Sequence, residues 1–242
     1  MKAMILAAGL GTRLKPWTFE HPKALVPVGG VPMLERVILK LKSSGFDQIV
    51  INIHHFGEQI IEFVESRDFG VDISISDERD NLLDTGGGIL HAEKLLRVEE
   101  GPVLIHNVDI ISNADLQGFM QRHMASGFDS SLLVSDRDSS RKLIFGQDMR
   151  LRGWHNISED IYRPSGFEKS ENDREFAFSG IHIVGRHMIE EMKRLENDPR
   201  FSIIDFLLRP DHKLRIRGEN CQGLSLIDIG KPATLSQAEK FL

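Results

Sequence analysis

The sequence predicts an α/β domain of three layers, with a mixed, mostly parallel central sheet. Three observations carry this. Short, wholly apolar runs end in glycine or polar residues, as strands buried on both faces do. Between them lie segments whose apolar residues recur at helical spacing. The two kinds alternate from the N-terminus to about residue 135, the order that builds βαβ units.

The first run, 3–7, is Ala-Met-Ile-Leu-Ala ahead of Gly9 and reads as a buried parallel strand. Residues 32–43 place Leu34, Val37, Ile38 and Leu41 on one helical face, and Pro32 suits a first-turn position. A second strand is expected over 48–53. In 57–64, Ile60, Ile61 and Val64 share a helical face, and 71–75 alternates as a strand does. Thr85 precedes three glycines and the helical pattern Ile89, Leu90, Ala92, Leu95, Leu96, which makes it a candidate N-cap. A strand over 103–105, a helix over 114–125 and a strand over 130–135 complete this half.

After about residue 136 the pattern changes. Residues 135–148 and 151–169 read as hairpins and loops, and 178–184 as a strand. Helices are expected at 186–196 and 202–208, short strands near 213–217 and 224–228, and a last helix from about Pro232. This half is expected to wall a pocket on the first half within one domain spanning 1–242, with the division at 134/135.

Composition narrows the function. With 242 residues, 40% of them apolar and 27% charged, the chain can bury a sizeable core. That excludes a disordered, collagen-like or small disulfide-stapled chain. A net charge of −6 argues against a nucleic-acid coat protein. The single cysteine, Cys221, permits no intrachain disulfide and fits a reducing compartment. No apolar stretch approaches the ~18 residues of a membrane span, and the apolar start lacks a signal-type cleavage site. A soluble cytoplasmic protein is expected. Charge is uneven: residues 1–50 hold seven Lys/Arg against three acids, so an acidic chain begins with a basic segment suited to anions.

Ala7-Ala8-Gly9-Leu10-Gly11-Thr12-Arg13 follows the first strand, where open α/β sheets bind ligands. Glycines let backbone N–H groups approach phosphate oxygens, and Arg13, Lys15 and Lys23 add cationic side chains. Two phosphate motifs fail. The dinucleotide fingerprint needs a third glycine where Leu14 stands, and an acid beyond the second strand, which ends Asn52-Ile53-His54. A P-loop needs Gly-Lys-Ser/Thr, and none follows Gly9.

The stretch from Lys2 to Leu14, with Ala-Gly-x-Gly-Thr-Arg at its centre, and Pro22-Lys23-Ala-Leu-Val-Pro-Val after it resemble the sugar-1-phosphate nucleotidylyltransferases. Thr85-Gly86-Gly87-Gly88, Asn107-Val108-Asp109, Phe178-Ser179-Gly180-Ile181 and Asp228-Ile229-Gly230-Lys231-Pro232 extend the resemblance over nearly the whole chain. The chain is most similar to the N-acetylmuramate-1-phosphate uridylyltransferases, then to the mannose-1-phosphate guanylyltransferase-like enzymes. The resemblance implies a Rossmann-like nucleotidyltransferase fold, with 1–134 binding the nucleotide and 135–242 the sugar. It implies an NTP, UTP favoured, and a sugar 1-phosphate as substrates, and Mg²⁺ as cofactor.

By the same resemblance Ala8, Gly9, Gly11, Thr12 and Arg13, with Lys15, hold the triphosphate. Gly86, Gly87 and Asn107 bind the rest of the nucleotide. Lys23 sits near the α-phosphate, and Arg13, Lys23 and Asp109 are the catalytic set. Asp109 and Asp228 are the metal ligands. Lys23, Glu168, Lys169, Ser179 and Gly180 meet the sugar phosphate. Two positions depart from the family: Val108 replaces the usual Gly before the first metal Asp, and Ser170 replaces the Pro that usually follows Glu-Lys. The chemistry asks for no Ser nucleophile or His base, because a phosphate oxygen whose second pKa is about 6 is the nucleophile. What it needs is the alignment and neutralisation of two polyanions.

Alternatives within this chemistry are GTP with mannose- or heptose-1-phosphate, and CTP with phosphocholine. The alternative of another class is a non-catalytic nucleotide-sensing subunit, supported only by Val108. His54-His55 is discounted as a metal site, since adjacent strand residues point to opposite faces. Trp154 and Tyr162 read as packing residues of a lid core, with sugar stacking as the alternative.

Overall fold

The computed structural model describes every residue but Lys231 and Leu242, and the side chains of all the others but Pro232, Ala233 and Phe241. The chain runs β1 (Lys2–Leu6), then three 3₁₀ turns (Thr12–Leu14, Trp17–Phe19, Lys23–Leu25), β2 (Pro27–Val28), β3 (Val31–Pro32) and α1 (Met33–Ser43). It continues through β4 (Gln48–Ile53), α2 (Gly57–Glu65), β5 (Asp72–Asp77), α3 (Asp84–His91) and α4 (Glu93–Leu96). Next come β6 (Val103–Asn107), β7 (Ile110–Ser112), α5 (Leu116–Ser126), β8 (Ser130–Ser135), β9 (Arg141–Phe145), β10 (Leu151–Asn156) and β11 (Ile161–Arg163). The C-terminal part is β12 (Arg174–Val184), α6 (Arg186–Leu195), α7 (Ile203–Leu207), β13 (Ile216–Asn220), β14 (Leu226–Asp228) and α8 (Pro232–Phe241).

Ten strands form one sheet along the path β11-β10-β9-β12-β6-β1-β4-β5, with β8 pairing both β12 and β13. The pairs β6-β1, β1-β4 and β4-β5 are parallel, as crossover helices require. β12 runs antiparallel to β6, β8 and β9, so the hairpin-rich second half continues the same sheet. The sheet is mixed, and its parallel character is confined to the β5–β6 side and the β8-β13 pair.

Strand alternation sorts the core into two layers. Ala3, Ile5, Ile49, Ile51 and Leu104 face α1, α2 and α5. Met4, Val50, Val103 and Ile105 face α3, α4, α6 and α7. This double coverage is why these strands read as unbroken apolar runs. A third, small cluster matters for the site: Leu14 of the first 3₁₀ turn packs with Val26, Met33, Ile229 and Ala238 of α8. It ties the loop after β1 to the strand end that carries Asp228.

Two expectations are corrected. Thr85 does not cap its helix: α3 begins at Asp84 with Leu83 as N-cap, and Thr85 Oγ1 accepts from the Ile203 N–H at 3.0 Å. The short strand expected near 213–217 is β13, Ile216–Asn220, because its pairing with β8 and not its apolar content defines it.

Candidate active site

A cavity of about 420 Å³ opens at the C-terminal ends of β1, β4 and β6, where the sheet's parallel strands deliver their loops. Its wall is the segment from Ala7 to Arg13, joined by Lys23, Asn107 to Asp109, and Gly230.

The glycine loop is held from behind. Asn52, buried at the end of β4, accepts the Ala7 N–H at 2.7 Å on Oδ1. Its Nδ2 donates to Glu78 Oε1 at 2.7 Å. Glu78 is itself buried, its Oε2 has no partner among the described residues, and loss of water pushes its carboxyl above the usual range. Past that anchor the loop is free. Gly9, Leu10 and Gly11 make no backbone N–H hydrogen bond to any described residue. Gly11 has φ +62°, and a Cβ there would lie 2.9 Å from Lys23 Cβ. Only glycine allows the left-handed turn and the close passage of Lys23 together. Thr18 reinforces it, donating from Oγ1 to the Gly11 carbonyl at 2.9 Å.

Facing the loop are two carboxylates from distant parts of the chain. Asp109 follows β6 and precedes β7; Asp228 ends β14. β14 pairs antiparallel with β7, Asp228 lies across from Ile110, and the Ile229 N–H donates to the Asp109 carbonyl at 2.8 Å. The ladder makes the two aspartates neighbours although more than a hundred residues separate them. Lys23 Nζ donates to Asp109 Oδ2 in a short, largely shielded ion pair. Crowding out of water and then the Asp109 charge raise the Asp228 carboxyl above its usual range, while Lys23, Arg13 and Arg137 act against this. Arg13 approaches from the loop: a Cβ on Gly230 would lie 2.7 Å from Arg13 Nη2 and 2.9 Å from Asp228 Oδ1.

Among the described residues no group of three or more His, Cys, Asp or Glu could cage a metal. Two adjacent carboxylates with open sides fit a hard cation that keeps water and phosphate oxygens as its other ligands, the habit of Mg²⁺.

Of the residues singled out in the sequence, Ala8, Gly9, Gly11, Thr12, Arg13, Lys23, Asn107 and Asp109 line this cavity, and Asp228 sits beside Arg13 at its edge. Val108, the departure from the family pattern, is buried in the α1-side core, and its N–H donates to the Leu6 carbonyl at 3.2 Å.

Others lie elsewhere. Gly86 and Gly87 do not line the cavity: both N–H groups donate to the Phe201 carbonyl, at 2.9 and 3.2 Å. A Cβ on Gly87 would stand 2.1 Å from the Pro199 carbonyl oxygen, so these glycines admit the 199–201 segment against α3. Ser179 is fully buried and donates to the Leu133 carbonyl at 2.5 Å. Gly180, at φ +72°, lets β12 pass Asn107, whose Nδ2 would be 2.9 Å from a Cβ. Lys169 pairs with Glu175 at 2.6 Å outside the cavity, and Glu168 is exposed next to it. Lys15 lies over the Phe19 ring instead of the cavity. Lys231 is outside the described residues. The cavity also uses Asn52, Leu82 and Asp84, which the sequence reading passed over. A polar Asn inside an otherwise apolar strand was the available signal for the first.

The profile of the nucleotidyl transferase family matches residues 2–202. An N-acetylmuramate alpha-1-phosphate uridylyltransferase of Caulobacter vibrioides is 30% identical over 247 aligned positions, covering 99% of this chain and 96% of that one. Mannose-1-phosphate guanylyltransferase 1 of Arabidopsis thaliana is 34% identical over 144 positions, 59% of this chain and 40% of that enzyme. The crystal structure of HddC from Yersinia pseudotuberculosis complexed with GMP-PN superposes with a TM-score of 0.78 at 24% identity, covering 99% of this chain and 98% of that one. That likeness shows the fold.

Proposed function

The chain belongs to the nucleotidyl transferase family, and on that footing we propose that it transfers a nucleotidyl group from an NTP to a sugar 1-phosphate with Mg²⁺. We read the pair as UTP and N-acetylmuramate 1-phosphate or a related hexosamine 1-phosphate. The observation that carries the reaction class is the juxtaposition of Asp109, Asp228, Lys23 and Arg13 with a loop of unpaired N–H groups.

A phosphate oxygen of the sugar 1-phosphate attacks the α-phosphorus. The bond from that phosphorus to the oxygen bridging to the β-phosphate breaks, and pyrophosphate leaves. The backbone N–H groups of Gly9 and Gly11 and the Arg13 guanidinium take the departing phosphates, in the manner of an anion nest. Lys23 stands where negative charge grows on the α-phosphoryl oxygens. Asp109 holds Lys23 at that place in the absence of substrate. Mg²⁺ bound by Asp109 and Asp228 would neutralise phosphate oxygens of both substrates. The buried Ala7–Asn52–Glu78 link keeps the loop from yielding as the anions crowd in.

The base and sugar choice follows the full-length relative, which is named for uridylyl transfer to N-acetylmuramate 1-phosphate. A matrix of four NTPs against N-acetylmuramate, N-acetylglucosamine, glucose and mannose 1-phosphates, read by pyrophosphate release, tests it. UTP with a hexosamine 1-phosphate is expected to give the highest rate. A maximum at GTP with mannose 1-phosphate would move the assignment to the guanylyltransferase relatives. Silence across the matrix would remove the enzyme reading.

A further inference from the structure

A second cavity, of about 470 Å³, lies in the antiparallel part of the sheet. Its floor is one face of β9, β10 and β11. Arg141 pairs with Asn156, and Leu143, Trp154 and Arg163 lie across from one another, so their side chains share that face. The start of α7 forms another side through Ser202 and Ile204. Ile203, between them, donates its N–H to Thr85, which lines the first cavity. At the other side Arg137 of this cavity is close enough to lower the Asp228 carboxyl's pKa by its charge. The Thr85–Ile203 hydrogen bond thus ties the wall of the first cavity to the α7 end of the second.

The charges on this face are unevenly satisfied. Arg163 is committed: it donates to Asp205 at 2.7 Å and covers the Trp154 ring at 4.7 Å. Glu159 accepts from Asn156 at 2.8 Å. Arg141 makes no side-chain hydrogen bond or ion pair with any described residue. Arg137 donates from Nη2 to the Phe178 carbonyl at 2.9 Å, but its Nε is buried and has no partner among the described residues. Glu159 and Asp205 share this lining, yet neither the Arg137 nor the Arg141 guanidinium is bonded to a carboxylate of any described residue, in a chain of net charge −6. A buried, unpaired guanidinium N–H is costly, and an arriving anion offsets that cost. The planar fork of arginine matches a carboxylate with two parallel hydrogen bonds.

We propose that this second cavity seats the sugar and that Arg137 and Arg141 select a sugar 1-phosphate carrying a carboxylate. The proposal rests on the nucleotidyl-transfer reading of the first cavity. A neutral hexose there leaves both guanidiniums unmatched, whereas a carboxylate borne on an ether arm of the ring would match their planar forks.

N-acetylmuramate and N-acetylglucosamine 1-phosphates differ by one such lactyl arm, so their kcat/KM ratio isolates the carboxylate. The wild-type ratio is expected to favour the muramate by roughly tenfold or more, the worth of a charge-assisted hydrogen bond. Arg141→Gln and Arg137→Gln should each cut that ratio at least tenfold, mainly through KM; thermal melting verifies that each variant folds. A wild-type ratio near one, or a ratio that neither variant changes, overturns the proposal while leaving nucleotidyl transfer intact. Turnover of neutral sugar phosphates alone has the same meaning. Calorimetric binding of the two sugar phosphates separates the other failure. Pyrophosphate from no substrate, with muramate still bound more tightly in an Arg141-dependent way, sinks the reaction and keeps the cavity's selectivity. Equal binding of both sinks the selectivity too.

Discussion

Asp109→Asn is expected to lower the rate of pyrophosphate release at least ~100-fold, and Lys23→Ala by a similar factor, as losses of preorganised charged groups at a reacting centre do. The two residues act as one device in this structure. Lys23 is presented by the 3₁₀ turn after Pro22, and its ammonium is parked on Asp109. Removing Asp109 takes away a proposed metal ligand and frees Lys23 to move; removing Lys23 leaves Asp109 and Asp228 repelling each other. The double variant should therefore cost less than the product of the two single losses. Unchanged melting temperatures with the lost rate would locate the defect in the chemistry. A near-normal rate in either single variant contradicts the assigned roles.

The second large effect is on stability against acid. Three histidines are buried in the core and held neutral. Burial lowers His182 to about 3, His106 to about 4 and His123 to about 4. His182 has neither ring nitrogen hydrogen-bonded to any described residue, whereas His106 Nδ1 donates to the Asn107 carbonyl at 2.8 Å and His123 Nδ1 pairs with the Ser131 hydroxyl at 2.9 Å. Unfolded histidine titrates near 6.5. The folded values lie below it, so the unfolded chain binds more protons, and stability falls as pH drops through the window from about 6.5 to 4. Each histidine contributes roughly 1 kcal/mol per pH unit there. Glu78 and Asp228, whose carboxyls are raised first of all by burial, work in the opposite sense. Urea unfolding at pH 7, 5.5 and 4.5 should show a steep loss, and His182→Leu should lessen the slope. A flat stability over that range contradicts the account of these buried rings.

Much of the fold was legible because burial on both faces writes itself into composition. The strands at 48–53 and 130–135 were readable to the residue, since every interior position must be apolar or satisfied. β13 was misplaced because an edge strand with Arg217 and Glu219 carries no such mark. The glycine run after Thr85 misled for a different reason. Its glycines answer to the 199–201 segment, a contact more than a hundred residues away that no local pattern announces. Lys169 looked suited to a phosphate by its neighbours in sequence, yet strand β12 supplies Glu175 to neutralise it. That the loop after β1 and Lys23 wall one cavity was legible because Gly11 and Lys23 obey short-range sterics. The link from Asn52 to Glu78 was not, because two polar residues are seen to meet only once the strands that bring them together are paired, even though Asn52 itself interrupts an apolar strand.

The claim on which the rest depends is that Asp109 and Asp228 act jointly on one Mg²⁺. The direct measurement is the Mg²⁺ concentration giving half-maximal pyrophosphate release in the wild type and in Asp228→Asn. Halving the carboxylate donors of a site that takes its other ligands from water and phosphate should raise that concentration at least ~10-fold, and chelation with EDTA should abolish turnover in both. Equal half-saturation in the two proteins, or turnover that EDTA leaves untouched, would contradict it.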